Sequence, residues 1–203
     1  MNRTPLRLFV ALLLLAVGAL AGSAQAMTTV LTVEGTIDSV KGSTITLTQA
    51  DKMTKTIALQ DKTLVLARQV VGLDQIKPGD AMGVASRRDA DNGLVAIYIN
   101  IFAPEMWNSP VMRKGEFPMK TGDTMTNAVV TNYATSIKGR VITMKYAEGT
   151  STITVPDGTQ IHRFVVVKPS MLRAGLKVTV RGNAGPNGSI TANSVGFDQP
   201  AKG

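Results

Sequence analysis

Sulfur-containing side chains form the most suggestive candidate metal site in this sequence. Thioether sulfur is a soft ligand that suits Cu(I) where no thiols compete, and the chain has no cysteine. Four of the ten methionines and the only tryptophan fall within twenty residues, at Met106, Trp107, Met112, Met119 and Met125. The alternative, which we prefer, is that Met106, Trp107 and Phe117 pack across a seam between two domains, because flexible methionine fills irregular gaps.

Basic side chains form a second candidate site. Residues 27–103 carry eight basic and eight acidic side chains, whereas residues 104–203 carry twelve and six. A need for solubility would not by itself place the positive charge in one half, so we expect it to bind an anionic envelope polymer or an acidic protein. The alternative is a solvated surface. The candidate residues are Lys138, Arg140, Arg163, Arg173, Lys177 and Arg181.

Nucleic acid is not the expected partner. Proteins that bind single strands stack the bases on aromatic side chains among the basic ones, and aromatic residues make up only 4% of this chain. Alternation along Lys177–Gly182 predicts that Lys177, Thr179 and Arg181 share one outward face of a strand.

Groups suited to catalysis are few. The only histidine, His162, lies in a segment that reads as a strand, Gln160–Val167. Most aspartates fall in turns, where their side chains cap the local backbone. No spacing pairs two carboxylates for acid–base chemistry, and no nucleophile or phosphate-loop motif is present. The sequence therefore predicts a protein that is not an enzyme, with no catalytic residues and no cofactor.

The first 26 residues have the layout of a secretory signal peptide. Arg3 and Arg7 precede an apolar run of fifteen residues, Leu8–Gly22, and Ala24 and Ala26 follow it. That run is shorter than the roughly 20 residues that a membrane-spanning helix needs. We expect cleavage after residue 26, a periplasmic or secreted location, and no transmembrane segment in the mature chain.

The rest of the chain reads as β-strands that occur in two copies. Alternating segments rich in Thr, Val and Ile are separated by turn signals every eight to twelve residues, which is typical of a barrel or sandwich. Asp61 and Gly79 recur 96 residues later as Asp157 and Gly175, and Gly42 recurs 97 residues later as Gly139. Matches at nearly constant spacing predict a duplication.

Each copy has the element order of an OB-like barrel, with a short helical segment before the fourth of five strands. Residues 33–37, 41–47 and 76–80 resemble bacterial exported OB-like domains of unknown function. That resemblance implies a fold and no particular activity. We therefore predict an all-β protein with a first five-stranded barrel at residues 27–103, a connector at 104–125, a second barrel at 126–198 and a tail at 199–203.

Overall fold

The computed structural model describes residues 30–110, 112–136 and 139–199. The prediction of an all-β protein is confirmed, because these residues form one sheet of thirteen strands. The predicted signal peptide, Lys138 and residues 200–203 lie outside the described residues. The strands are β1 (Leu31–Lys41), β2 (Thr44–Thr48), β3 (Thr54–Ala58), β4 (Leu64–Val70), β5 (Ala81–Arg88), β6 (Leu94–Ile101), β7 (Gly115–Pro118), β8 (Thr124–Ser136), β9 (Gly139–Tyr146), β10 (Gly149–Val155), β11 (Gln160–Val166), β12 (Lys177–Ala184) and β13 (Ile190–Gln199).

The helical content is small. One short helix, α1, covers Pro104–Trp107, and three 3₁₀ turns lie at Leu73–Gln75, Pro169–Met171 and Pro186–Gly188. The first two of these 3₁₀ turns precede β5 and β12, where the sequence predicted a short helical segment.

The strand pairings make two closed circuits. In the first circuit, β1 pairs with β2, β2 with β3, β3 with β13, β13 with β12, and β12 returns to β1. In the second circuit, β8, β9, β10, β6 and β5 pair in the corresponding order. Strands β4 and β11 join the circuits, since β4 pairs with β13, β11 pairs with β6, and β4 and β11 pair with each other. The last strand, β7, pairs with β8.

The two circuits share the same registers, which supports the predicted duplication. The pair Ile37 and Leu47 corresponds to Val130 and Met144, and the same irregularity follows both pairs. The circuits match at a spacing of 93 residues from β1 to β8, 97 from β2 to β9 and 96 elsewhere. We call two positions equivalent where this register relates them.

The circuits do not follow the predicted division of the chain. Each half supplies its closing hairpin to the other circuit, because β5–β6 pair with β8 and β10 while β12–β13 pair with β1 and β3. The segments after β4 and β11 carry the chain across, so Ile76 is buried in the core of the second circuit and Leu172 in that of the first. The boundaries at 27–103 and 126–198 therefore describe the repeats and not the two packed cores.

Two glycine pairs test the repeat at the level of turns. Gly79 (φ 92°) and Gly175 (φ 82°) adopt the same left-handed conformation. Their amides donate to equivalent carbonyls, Val130 at 2.9 Å and Ile37 at 2.8 Å. Gly42 and Gly139 differ, because Gly42 (φ 56°) forms the turn after β1 whereas Gly139 already begins β9 opposite Ser136. The pairing of β8 with β9 extends two residue pairs further than that of β1 with β2, so Gly139 lies in a strand and not in the turn.

Candidate functional site

A groove of about 990 Å³ lies beside the first circuit. Its floor is the outer surface of β1, β12, β13 and β4, and its far wall includes Phe102, Met106 and Phe164. These three residues come from the second circuit, the connector and β11, so the groove lies where the two circuits meet. We call its floor the open face.

Strand alternation places the polar side chains of β12 on the open face. Val178 and Val180 are buried in the core, whereas Lys177, Thr179 and Arg181 point outward into the groove. The predicted common face of these three residues is therefore confirmed. Lys177 and Arg181 have no acidic group of the described residues within salt-bridge distance.

Across the open face, acidic side chains balance the basic ones. Arg68 on β4 donates two hydrogen bonds to the carboxylate of Asp198 on β13, at 2.5 and 2.8 Å. This hydrogen bonding lowers the pKa of Asp198 and raises that of Arg68. Glu34 on β1 lies opposite Thr179, between Lys177 and Arg181, and Asp38 accepts a hydrogen bond from Thr48. Three basic and three acidic side chains thus line the groove.

His162 lies close to the Arg68–Asp198 pair. It sits on β11 opposite Val70 and Asn100, which confirms the strand predicted for its segment. Partial burial lowers the pKa of His162, the charge of Arg68 lowers it further, and Asp198 opposes the shift. In the described part of the chain, no three His, Asp or Glu side chains are grouped as a metal site would require.

The equivalent face of the second circuit is covered. The positions of Lys177, Thr179 and Arg181 on β12 correspond to Ala81, Gly83 and Ala85 on β5. Residues 82–86 are all buried, so β5 has lost the alternation between buried and exposed positions that β12 retains. Small side chains on β5 leave room for other parts of the chain to lie against it.

Residues that follow β6 provide this cover. Any side chain at Gly83 would begin 2.6 Å from a ring carbon of Phe102, and the Phe102 ring stacks on Trp107 with centroids 6.4 Å apart. Further along the connector, the side-chain amide of Asn127 donates to the carbonyl of Arg113 at 2.7 Å. In the first circuit, Asp198 stands at the position of Phe102 and turns to Arg68 instead. That face therefore stays open.

The six predicted basic residues do not form one site. Arg140 faces Asp157 at 3.5 Å on the second circuit, and Arg173 is exposed in the turn before β12. Arg163 pairs with Asp80, and Lys138 is outside the described residues. Only Lys177 and Arg181 line the groove.

Arg163 has a structural position. Its guanidinium contacts the carboxylate of Asp80 at 3.2 Å and donates to the carbonyl of Gln75 at 2.8 Å. Both charged side chains are largely buried, with 30% and 20% of their side-chain surfaces exposed. This ion pair links β11 to the segment that connects β4 with β5.

Replacing Arg163 by alanine is expected to lower the free energy of unfolding by about 1–2 kcal/mol, because a partly buried carboxylate and a carbonyl lose a charged donor. Chemical denaturation of the purified variant measures this effect. Arg140→Ala is the matched control, since the Asp157 side chain is 96% exposed and exposed ion pairs contribute only about 0–1 kcal/mol. Equal losses in the two variants would contradict the structural assignment of Arg163.

The connector methionines have separate surroundings. Met106 lines the groove, and the sulfur of Met112 accepts a weak hydrogen bond from Asn127 at 3.8 Å. Met119 lies in the turn between β7 and β8, and Met125 lies on β8 opposite Phe117 and Ala85. The packing interpretation of the connector therefore stays a prediction. Copper binding remains a prediction.

Cations stack on the connector's aromatic rings. Arg113 lies over the Phe117 ring at 4.0 Å, and Lys114 lies over the Trp107 ring at 4.5 Å. Two of the twelve basic residues in the second half are therefore engaged within the connector itself. Trp107 thus contacts Phe102 and Lys114, which accounts for its position without a metal.

Sequence reasoning missed several residues of the groove. Arg68, Glu34 and Asp198 belong to the open face but come from strands far apart in sequence. Alternation could have placed each of them outward, yet only the parallel pairing of β4 with β13 brings Arg68 opposite Asp198.

In comparisons with known proteins, no family model, curated protein or solved structure matches this chain. Across the described residues, no helix has the length and apolar character needed to cross a membrane. Function is therefore inferred from the groove and its surroundings.

Proposed function

We propose that this chain is an exported, non-enzymatic binding protein whose groove holds a segment of an acidic partner protein. The closed circuits of five strands support the further proposal that each circuit is an OB-like barrel, a fold that often binds extended polymers on one face. The signal-like first 26 residues support export.

The contrast between the two equivalent faces carries this proposal. The face on β5 is covered by Phe102, on which Trp107 of the connector stacks, and the outward positions of β5 are Ala or Gly. The face on β12 is open and carries Lys177 and Arg181, which have no salt-bridge partner among the described residues. The equivalent face thus holds other parts of the chain, which supports the proposal that the open face holds a polypeptide segment of a partner.

The charges of the groove favour an acidic protein over a uniformly anionic polymer. Glu34, Asp38 and Asp198 line the same groove as the basic residues, so a polymer with charge at every unit would meet repulsion as well as attraction. Lys177 and Arg181 are four residues apart along an extended strand, a separation of roughly 13 Å. A partner with acidic groups at a matching spacing would satisfy both cations and avoid the carboxylates.

Binding is tested with a peptide probe. The probe is the tightest binder selected from displayed random twelve-residue peptides against the mature protein, residues 27–203. Charge reversal of both groove cations (Lys177→Glu with Arg181→Glu) is expected to weaken its binding at least about tenfold, because each paired charge becomes a repulsion. Isothermal titration calorimetry at low and physiological salt measures the loss.

The matched control reverses two exposed charges outside the groove, Lys168→Glu with Arg173→Glu. This control changes the net charge of the protein by the same amount, and we expect nearly unchanged affinity. An equal loss in both double variants would mean that overall charge, and not the groove, determines binding. Failure of the selection to yield any binding peptide would contradict the proposal directly.

A further inference from the structure

One edge of β8 is paired with a segment of the connector. Strand β7 runs antiparallel along it, with Gly115 opposite Asn127 and Phe117 opposite Met125. The register relating the two circuits places Glu34 and Thr32 of β1 at the positions of Asn127 and Met125. No strand of the described residues pairs with this edge of β1, since β2 joins it only from Thr36 onward.

Alternate residues of β1 direct their backbone amides and carbonyls toward the unpaired edge. The amide and carbonyl of Ile37 both bond to the segment leading into β12, and neighbouring residues of a strand direct these groups to opposite sides. Val33 and Gly35 therefore bond toward β12, whereas the amides and carbonyls of Thr32 and Glu34 face the unpaired side. The same reasoning places the backbone groups of Met125 and Asn127 toward β7.

The unpaired edge of β1 is also more exposed to solvent than the paired edge of β8. Thr126 and Asn127 on β8 are buried, whereas the equivalent residues of β1, Val33 and Glu34, are half-buried and exposed. Residues Leu31–Glu34 also lack the lysine, proline or bulge that commonly protects an edge strand from pairing. The irregularity in β1 lies further along, after Ile37.

We propose that the edge of β1 at Leu31–Glu34 binds the partner segment by antiparallel strand addition. This inference rests on the proposed function and specifies how the groove holds its partner. The segment takes the place that β7 occupies on β8, so it pairs over about four residues, and its main chain bonds to Thr32 and Glu34. The groove next to this edge receives the rest of the segment, as the covered face receives the connector.

Charge favours an acidic segment over a second copy of this chain. Strand β1 is part of the open face, and on the neighbouring β12 Arg181 lies opposite Thr32 and Lys177 opposite Thr36. A second copy paired edge to edge would bring its own Lys177 and Arg181 toward those of the first. An acidic segment instead supplies opposite charge to both residues.

The first test removes a single amide from the protein. Thr32→Pro deletes an outward N–H that bonds to no other part of the described chain, a change that edge strands tolerate. Binding of the selected peptide to this variant is expected to fall at least about tenfold. The matched control Thr32→Val changes the side chain but keeps the amide, and its affinity should stay within about twofold of the unmodified protein.

The second test leaves the protein unchanged. Only alternate amides of an added antiparallel strand bond to β1. N-methylation of one alternate set within the four paired residues of the peptide should therefore abolish binding, while methylation of the other set should not. Equal effects of the two sets, or full binding by Thr32→Pro, would overturn strand addition even if the Lys177 and Arg181 variants still lose affinity. Sedimentation of the free protein as a dimer that Thr32→Pro dissociates would assign the edge to a second copy instead.

Discussion

Residues 27–103 produced alone are expected to fold only as a dimer. The first circuit needs a closing hairpin that the intact chain takes from β12 and β13. Without that hairpin, its core loses Val178, Val180, Ile190, Val195 and Phe197, which are among its buried residues. The fragment's own β5 and β6 do not replace it, because the segment between β4 and β5 leads away from the first circuit in the intact chain.

A second molecule of the fragment can supply the missing hairpin. The pairing of β5 with β8 has the same register as that of β12 with β1, so two fragments can exchange hairpins as the two repeats do. Folding is then coupled to association, and the melting temperature should rise with fragment concentration. The melting temperature of the full mature chain should not change with concentration.

Thermal unfolding between about 1 and 100 μM, with sedimentation velocity, measures this behaviour. Mixing the fragment with residues 104–203 is the matched control, because the mixture contains every strand of the intact chain and should give a stable one-to-one complex. A fragment that remains a folded monomer with a constant melting temperature would show that each repeat closes its own circuit. The exchange of hairpins would then not be required by the sequence.

The strands and their repeat could be predicted because both follow local patterns. Alternation at Ile45 and Leu47 recurs at Ile142 and Met144, and all four are buried. The exchange between circuits could not be predicted, since either pairing uses the same strands and buries the same faces. The path of the chain after β4 and β11 decides between the two pairings, and alternation does not encode that path.

A shift of one residue concealed the covered face. In the sequence, a constant spacing of 95 residues relates Phe102 to Phe197 and Gly93 to Gly188. Pairing aligns Phe197 with Ile101, both of them buried, and aligns Phe102 with Asp198. One step along a strand exchanges the inward and outward sides. The constant spacing therefore hid the equivalence of Phe102, which covers one face, and Asp198, whose face stays open.

Strand alternation placed two basic residues on one face, but charge counts in the sequence did not define a site. Lys177 and Arg181 were predicted to share a face, and they do. Arg163 has the same charge and a similar sequence context, but its side chain reaches Asp80, and the sequence gives no sign of that partner 83 residues away. Long-range ion pairs remove basic residues from a predicted binding surface in this way.

Hydrogen exchange is expected to differ sharply between the two equivalent edges. Amides of Thr32 and Glu34 face the unpaired side of β1, so they should exchange at nearly unprotected rates. Amides of Met125 and Asn127 face β7 and should exchange at least about a hundredfold more slowly, because exchange there requires local opening of the β7–β8 pair. Nuclear magnetic resonance of the mature protein resolves the individual amides.

Two residues within β1 provide the control for this measurement. The amide of Val33 lies between the two exposed amides and that of Gly35 follows them, but both bond toward β12, so they should be protected even though Thr32 and Glu34 are not. Fraying of the whole strand would make all four β1 amides exchange quickly, whereas an open edge gives fast and slow exchange in alternation. Protection at Thr32 and Glu34 in the free protein would mean that the edge is already paired, and β1 would then have no place for a partner's strand.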